Sequence, residues 1–358
     1  MKLKHINFHK DFKLNSNSFA SVDALLNYTA KLSIDTHQFL EAWFSNKEYV
    51  LVKTSGSTGT PKEIKLQKSQ MQNSAIATGV FFGLHENTSA LLCLPVVYIA
   101  GKMMLVRALT LGWHLDVGAA DSNPLKDNFK AYDFSAMVPL QAENAIDNIH
   151  RIKKLIIGGG AVSHVLQEKL QHVVTAVFGT YGMTETITHI AVKKLNNFSP
   201  LRGGASEQSL HKDFYTTLPQ TEIYKDERNC LVLKNTTISD VVIFTNDVVR
   251  LISDTQFEWL GRFDNVVNSG GIKLYPERIE EKLGSIMKQR FFVAGIQDDV
   301  LGEKLVLVVE GPPCVLDIKK AEVSKFEVPK KTYFIDHFVE TATKKIQRKK
   351  TLDLINFN

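Results

Sequence analysis

The spacing of apolar and polar residues changes along the chain. In the first part, short apolar runs alternate with segments whose apolar residues recur at helical spacing, a pattern typical of βα units on a mostly parallel sheet. The loops at the carboxyl ends of such strands usually form the ligand site. The predicted strands are residues 49–53, 90–94, 134–138, 154–157 and 173–178, and the predicted helices are residues 67–84, 101–111, 141–149 and 163–171.

The later part of the chain has two further patterns. From about residue 195 to 260 the helical spacing disappears and strand-like segments follow one another, at 230–234, 241–244, 248–252 and 257–260, which predicts a β-rich subdomain. After a turn at Ser269-Gly270-Gly271, Pro276 opens a helix with Ile279, Leu283 and Ile286 on one face, followed by strands at 291–296 and 305–310. We therefore predict an α/β lobe over residues 1–263 and a small α+β domain over 264–358.

Composition narrows the class of protein. Of 358 residues, 44% are hydrophobic and 23% charged, which is typical of a folded globular chain, and a net charge of +5 does not favour a nucleic-acid partner. The three cysteines lack metal-ligand spacing and do not indicate a disulfide framework, which favours a reducing compartment. Because neither a signal peptide nor an apolar run of about 18 residues is present, we expect a cytoplasmic protein without a membrane span.

One loop is suited to bind phosphate. It follows a predicted strand, and its backbone amides and hydroxyls can surround phosphate oxygens while a lysine supplies positive charge. The spacing differs from that of a Walker loop, and a flexible Ser/Gly connector would explain the composition equally well. The loop residues are Thr54, Ser55, Gly56, Ser57, Thr58, Gly59, Thr60, Pro61 and Lys62.

Two further loops follow predicted strands. After strand 173–178, Tyr181 can stack on a purine, Thr184 can bind a phosphate and Glu185 can hold Mg²⁺. After strand 154–157, the small residues Gly158-Gly159-Gly160-Ala161 let a flat ring approach the backbone. Ordinary turns remain an alternative for both loops.

The remaining candidates are charged. Asp247 can bind the hydroxyl groups of a ribose, and Arg262 can reach the same sugar or a phosphate. An ordinary salt bridge or a turn cap is the alternative for both residues. The basic segment 340–350 is either a solvated tail or the carrier of one lysine that reaches a phosphate-bearing cleft.

In this order, the segments resemble the motifs of the adenylate-forming superfamily of acyl- and aryl-CoA synthetases, peptide-synthetase adenylation domains and luciferases. Residues 54–62 look like its phosphate loop, 181–185 like its Tyr-Gly-x-Thr-Glu motif, Asp247 like its ribose aspartate and Gly261-Arg262-x-Asp264 like its hinge. Lys345 matches its adenylation lysine. The resemblance extends from about residue 49 to the end of the chain.

The resemblance implies a two-step reaction. A carboxylic acid attacks ATP·Mg²⁺ to give an acyl-adenylate and pyrophosphate, and coenzyme A then takes the acyl group. By this resemblance, residues 55–59 and Lys62 bind the β- and γ-phosphates, Thr184 binds the α-phosphate and Glu185 binds Mg²⁺. The adenine would be framed by Gly159, Gly160, Ala161 and Tyr181, and the ribose by Asp247 and Arg262. Lys345 would act in the first step, and the small domain would then swing about Asp264.

The chain departs from the family pattern at several positions. Lys344 and Asn246 stand where the family usually has Gly, Tyr98 stands where many members have His, and much of the usual N-terminal region is missing. The short chain, together with the segments at residues 94–104, 157–161 and 265–277, is most similar to the compact o-succinylbenzoate–CoA ligases of menaquinone synthesis. Lys102, Arg107 and His189 are candidate residues for binding the acid. A ligase for another acyl or aryl acid, with CoA or a carrier-protein thiol, and a non-catalytic nucleotide-binding remnant are the alternatives.

Overall fold

The computed structural model describes residues 7–53, 63–198, 212–341 and 345–356. Its helices are α1 (Val22–Thr29), α2 (Ile34–Phe44), α3 (Lys68–Phe82), α4 (Ile99–Leu111), α5 (Pro139–Asn144), α6 (His164–Leu170), α7 (Pro276–Leu283) and α8 (Arg348–Leu352). Its strands are β1 (Lys13–Leu14), β2 (Tyr49–Lys53), β3 (Glu63–Gln67), β4 (Ser89–Leu92), β5 (His114–Val117), β6 (Tyr132–Met137), β7 (Ile152–Ile157), β8 (Ala176–Gly182), β9 (His189–Lys194), β10 (Tyr215–Thr217), β11 (Glu222–Lys225), β12 (Cys230–Lys234), β13 (Ile243–Leu251), β14 (Gln256–Arg262), β15 (Val267–Ser269), β16 (Ile272–Leu274), β17 (Phe291–Asp298), β18 (Gly302–Glu310) and β19 (Lys331–Ile335).

One half of the large sheet is parallel, as the βα pattern predicts. Strands β1, β5, β4, β6, β7 and β8 lie side by side in this order, and each pair is parallel. Successive residues of a strand point to opposite faces, so Ala90 and Leu92 enter one apolar core while Leu91 and Cys93 enter the other. Burial of both faces confirms the α/β class.

The β-rich region continues this sheet. Strands β9, β10, β14, β13, β12 and β11 follow β8 in hydrogen-bonded order, and each pair is antiparallel. The prediction of two strands at 241–244 and 248–252 is wrong, because both belong to the single strand β13. The polar residues Thr245-Asn246-Asp247 separate the two predicted strands, but Asp247 pairs with Arg262 of β14 in the ladder, so the strand continues through them.

Other element boundaries also differ from the prediction. Strand β8 runs from Ala176 to Gly182, later than the predicted 173–178, and the predicted helix 141–149 divides into α5 and a 3₁₀ turn at Ile146–Arg151. Helices α1 and α2, which begin at the N-caps Ser21 and Ser33, were not predicted. Strands β2 and β3 pair with each other and flank residues 54–62, which lie outside the described residues.

The C-terminal part of the chain has its own sheet. Strands β16, β15, β18 and β17 are joined by antiparallel pairs, and β19 pairs with β18 in parallel. Apolar clusters cover both faces, one of them including Ile279 and Leu283 of α7. Helix α7 ends before Ile286, which still packs against this cluster. The proposed division between residues 263 and 264 stays a prediction.

An ion pair connects α7 to the large sheet. Arg278 of α7 forms an ion pair with the buried Glu258 of β14, and Arg250 of β13 binds the other oxygen of this carboxylate at 2.7 Å. Among the residues that the structure describes, no helix combines the length and apolar character needed to cross a bilayer.

Candidate active site

Tyr181 and Asp247 meet beside the parallel half of the sheet. The phenol O–H of Tyr181, at the end of β8, donates a hydrogen bond to Asp247 Oδ2 at 2.7 Å. The ring of Tyr181 packs edge to face against Phe257 of β14 and tilted against Tyr215 of β10. Burial and the neighbouring Asp247 carboxylate raise the pKa of Tyr181 well above its usual value, so the phenol remains a donor.

Asp247 is fixed by donors on both of its oxygens. It is only 6% exposed, and its Oδ1 accepts a hydrogen bond from the indole Nε1 of Trp259 at 3.0 Å. The Arg262 guanidinium lies 3.8 Å from the same oxygen and is directly across the strand pair from Asp247. A carboxylate oxygen can accept a second hydrogen bond, so a fixed Asp247 can still bind the hydroxyl groups of a sugar.

The Gly158–Gly160 turn lies at the end of the neighbouring strand β7. A Cβ atom added to Gly158 would lie 2.4 Å from Thr180 Oγ1, which itself donates to the carbonyl of Ile157. Only glycine fits there, because the turn and strand β8 approach each other closely. Gly159, Gly160 and Ala161 are exposed, so their backbone is accessible to a ligand.

The segment after Tyr181 forms a tight turn. Thr184–Thr186 is one 3₁₀ turn, and the Thr186 hydroxyl donates to the backbone oxygens of Met183 and Thr188. The buried Ile187 follows with a φ of 66°, which is unfavourable for a β-branched residue. Thr184 is half-buried and Glu185 is exposed, so the carboxylate of Glu185 is accessible.

A buried cation lies behind this turn. Arg107 of α4 is 1% exposed, and within the described part of the chain no carboxylate pairs with it. Its Nη2 donates to His189 Nδ1 at 3.4 Å, and His189 pairs with Gly182 in the β8–β9 ladder. Burial lowers the pKa of Arg107 to about 9, and burial together with Arg107 lowers the pKa of His189 well below its usual value.

A neutral His189 has only one proton on its ring. Because Nδ1 accepts from Arg107, the proton lies on Nε2, and this buried nitrogen has no partner among the described residues. An unpaired buried donor costs free energy unless a ligand binds it. Arg107 and His189 together therefore provide donors suited to an anionic oxygen.

Two other candidate residues have different surroundings. The Lys102 ammonium donates to the backbone oxygens of Val96 and Val97, both at 2.7 Å, and therefore stabilises the loop that precedes α4. Tyr98, at the N-cap of α4, is 47% exposed.

The candidate hinge and the candidate lysine have separate contacts. Arg262 and Asn246 both donate to the Asp264 carboxylate, at 3.2 and 3.4 Å. Lys345 is exposed, and its backbone N–H donates to Thr341 Oγ1. No side-chain hydrogen bond or ion pair in the described ranges joins Lys345 to Tyr181, Glu185 or Asp247.

The structure thus brings together part of the predicted site. Tyr181, Asp247 and Arg262 are in contact, and Thr184 and Glu185 follow Tyr181 directly. The predicted phosphate-loop residues Thr54, Ser55, Gly56, Ser57, Thr58, Gly59 and Lys62 lie outside the described residues. Trp259 was not predicted, because only the strand register shows that its indole lies beside Asp247.

Comparisons with known proteins agree with this site. Residues 42–212 match the model of the AMP-binding enzyme family. The acyl-CoA synthetase (AMP-forming)/AMP-acid ligase II-like protein from Dyadobacter fermentans is 34% identical, with a TM-score of 0.59, and the match covers 89% of this chain and 93% of that one. The chain therefore belongs to the AMP-binding enzyme family, whose members form adenylates and include acid–CoA ligases.

More specific similarities involve one kind of ligase. A 2-succinylbenzoate–CoA ligase from Bacillus cereus is 25% identical over 344 residues, covering 87% of this chain and 71% of that protein. The structure of O-succinylbenzoate coenzyme A synthetase from Bacillus subtilis, solved with ATP and magnesium, has a TM-score of 0.70 at 20% identity and covers 85% of this chain and 69% of that one. At 20% sequence identity, this structural similarity establishes the fold alone.

Proposed function

We propose that the protein is an o-succinylbenzoate–CoA ligase, using ATP and Mg²⁺ to form an acyl-adenylate and then a CoA thioester. The observation that carries the proposal is the Tyr181–Asp247 hydrogen bond, which joins the adenine-framing and ribose-binding candidates in one place. The exposed Gly159–Gly160 backbone lies at the end of the strand next to β8.

In the first step, one carboxylate oxygen of the acid attacks the α-phosphorus of ATP, and the bond to pyrophosphate breaks. Asp247 and Arg262 hold the ribose, Thr184 binds the α-phosphate, and residues 55–59 with Lys62 bind the outer phosphates. Lys345 neutralises charge between the acid and the phosphate. These groups act by positioning and by charge stabilisation, and no covalent enzyme intermediate is needed.

The residues present are compatible with magnesium. Within the described ranges, no group of three or more His, Cys, Asp or Glu side chains is placed to hold a metal ion. Mg²⁺ commonly binds one or two carboxylates together with substrate phosphates, and the exposed Glu185 provides such a carboxylate. When bound, the ion would neutralise charge on the phosphates.

We propose that the acid is a dicarboxylate. One carboxylate reacts with ATP, and the second needs a buried partner, which Arg107 and the Nε2–H of His189 supply. In the second step the thiol of coenzyme A attacks the acyl carbon and AMP leaves. We propose that residues 264–358 move about Asp264 between the two steps, which removes Lys345 from the site.

The test is ATP–pyrophosphate exchange that depends on o-succinylbenzoate, followed by consumption of coenzyme A. Exchange with another acid, or transfer only to a carrier-protein thiol, would assign a different substrate. Absence of exchange with every acid in a panel, despite ATP binding, would identify a non-catalytic nucleotide-binding protein.

A variant tests the role of Lys345. We expect Lys345→Ala to lower exchange by at least about a hundredfold, because a positioned charge is lost from the transition state, and to leave ATP binding nearly unchanged. Lys349→Ala, at a nearby exposed lysine, is the matched control. Unchanged exchange in Lys345→Ala would contradict this role.

A further inference from the structure

Strands β13 and β14 do not pair in a regular register. Asp247 lies opposite Arg262 and Val248 opposite Gly261, but Val249 lies opposite Trp259, so Leu260 is an extra residue. In a regular ladder, Leu260 would lie opposite Val249 and on the same face as Asp247, because side chains alternate with period two. The bulge places Trp259 on this face instead.

The local backbone is compatible with this irregular register. Gly261, next to the extra residue, has a φ of 147°, and a Cβ atom there would lie 2.4 Å from Glu277 Oε2. The bulge therefore depends on a residue without a side chain. As a result, the indole N–H of Trp259 reaches Asp247 Oδ1 at 3.0 Å.

The two aromatic donors bind different oxygens of the Asp247 carboxylate. Tyr181 binds Oδ2 and Trp259 binds Oδ1, so the carboxylate cannot rotate without losing both hydrogen bonds. Each oxygen retains a lone pair for another donor. A carboxylate fixed in this way can receive two neighbouring hydroxyl groups without first being ordered by the ligand.

We propose that Trp259 is a positioning residue for nucleotide binding, whose indole N–H holds Asp247 in the orientation that accepts the 2′- and 3′-hydroxyl groups of the ribose. This inference rests on the proposed function, in which Asp247 binds the sugar of ATP. Trp259 itself need not touch the nucleotide, since it acts through the carboxylate.

The experiment measures binding of ATP, 2′-deoxy-ATP and 3′-deoxy-ATP with Mg²⁺ to the whole protein, in the absence of acid. Trp259→Phe removes the N–H and keeps an aromatic ring. We expect ATP binding to weaken by about tenfold, because a hydrogen bond to a charged group is lost, and binding of the deoxy analogues to weaken by less than about threefold. Discrimination between ATP and the analogues therefore falls.

The chain offers a matched control. The indole nitrogen of the buried Trp113 has no hydrogen-bond partner among the described residues, so Trp113→Phe makes the same chemical change away from Asp247. This variant should keep the discrimination of the wild type. Trp259→His retains a ring N–H and should recover part of the discrimination, and it supplies the measurement if Trp259→Phe does not fold.

The outcomes separate the two proposals. If the wild type binds ATP but Trp259→Phe weakens all three nucleotides equally, or weakens none, the positioning role is overturned while nucleotide binding stands. If the wild type binds no nucleotide, both proposals fail. If the nucleotides bind as expected but no acid supports pyrophosphate exchange, the proposed ligase activity fails and the role of Trp259 stands.

Discussion

Arg348 lies at the centre of a partly buried ionic cluster three residues after Lys345. It binds both oxygens of Glu280, at 2.7 and 2.8 Å, and approaches Glu277 at 3.6 Å. Glu277 also accepts a hydrogen bond from Asn265 beside the candidate hinge. The cluster therefore connects the segment that carries Lys345 to the segment around Asp264.

Replacing Arg348 by Met leaves two partly buried carboxylates without this counter-charge. Removing one partner of a fully buried ion pair typically costs about 3–5 kcal/mol and an exposed pair contributes less than about 1 kcal/mol, so we expect the free energy of unfolding to fall by about 2 kcal/mol. Lys349→Met, at the adjacent exposed position, should change it by less than about 0.5 kcal/mol. Urea unfolding followed by circular dichroism measures both effects.

The pH dependence provides a second test. Burial, with a contribution from Glu277, raises the pKa of Glu280 from its usual 4.5 to about 7 even though Arg348 opposes the shift. Between these values the folded protein binds more protons than the unfolded chain, so stability falls as the pH rises, by about 3 kcal/mol across this window. Without Arg348 the pKa rises further, so the deficit of Arg348→Met should be larger at pH 8 than at pH 6.

A double variant completes a double-mutant cycle between Arg348 and Glu280. Adding Glu280→Gln to Arg348→Met removes one unpaired charge and should recover part of the lost stability. A deficit below about 1 kcal/mol, or one that is equal at pH 6 and pH 8, would refute the proposed charge balance.

Three other changes test separate features. Gly158→Ala should lower the free energy of unfolding in urea by about 1–3 kcal/mol, because the new Cβ would meet Thr180 Oγ1. Adding Thr180→Ala should recover most of this loss. Unchanged stability of Gly158→Ala alone would contradict the close approach. Glu258→Gln removes the charge that Arg278 binds and should speed proteolysis near residues 263–265, whereas equal rates would show that this ion pair does not hold α7. Arg107→Met should raise the KM for the acid by about tenfold or more and leave the KM for ATP unchanged. An unchanged KM for the acid would show that Arg107 does not bind it.

The succession of βα units along the chain could be predicted from the sequence because local spacing determines it. The apolar run 154–157 is followed by three glycines, which give the correct end of β7 at Ile157, although the strand begins two residues earlier than predicted. The site motifs at the ends of β7 and β8 could be located for the same reason.

Features that depend on distant contacts could not be predicted. The polar segment Thr245-Asn246-Asp247 interrupts the apolar pattern, and only its pairing with β14 and the contacts of Asp247 with Tyr181 and Trp259 show that it lies inside a strand. The position of Trp259 depends on a one-residue bulge, which alternation along β14 alone would not reveal. The absence of a carboxylate partner for Arg107 among the described residues is likewise a property of tertiary packing.

The buried Arg107 also has a consequence for the ligand-free protein. Arg107 is removed from water with no counter-ion among the described residues, which makes the unliganded fold less stable than an apolar side chain of similar size would. Arg107 would then lower the resistance of the protein to denaturation and raise its affinity for an anion. Binding of the acid should recover this stability, so the thermal unfolding temperature should rise as the acid saturates the protein.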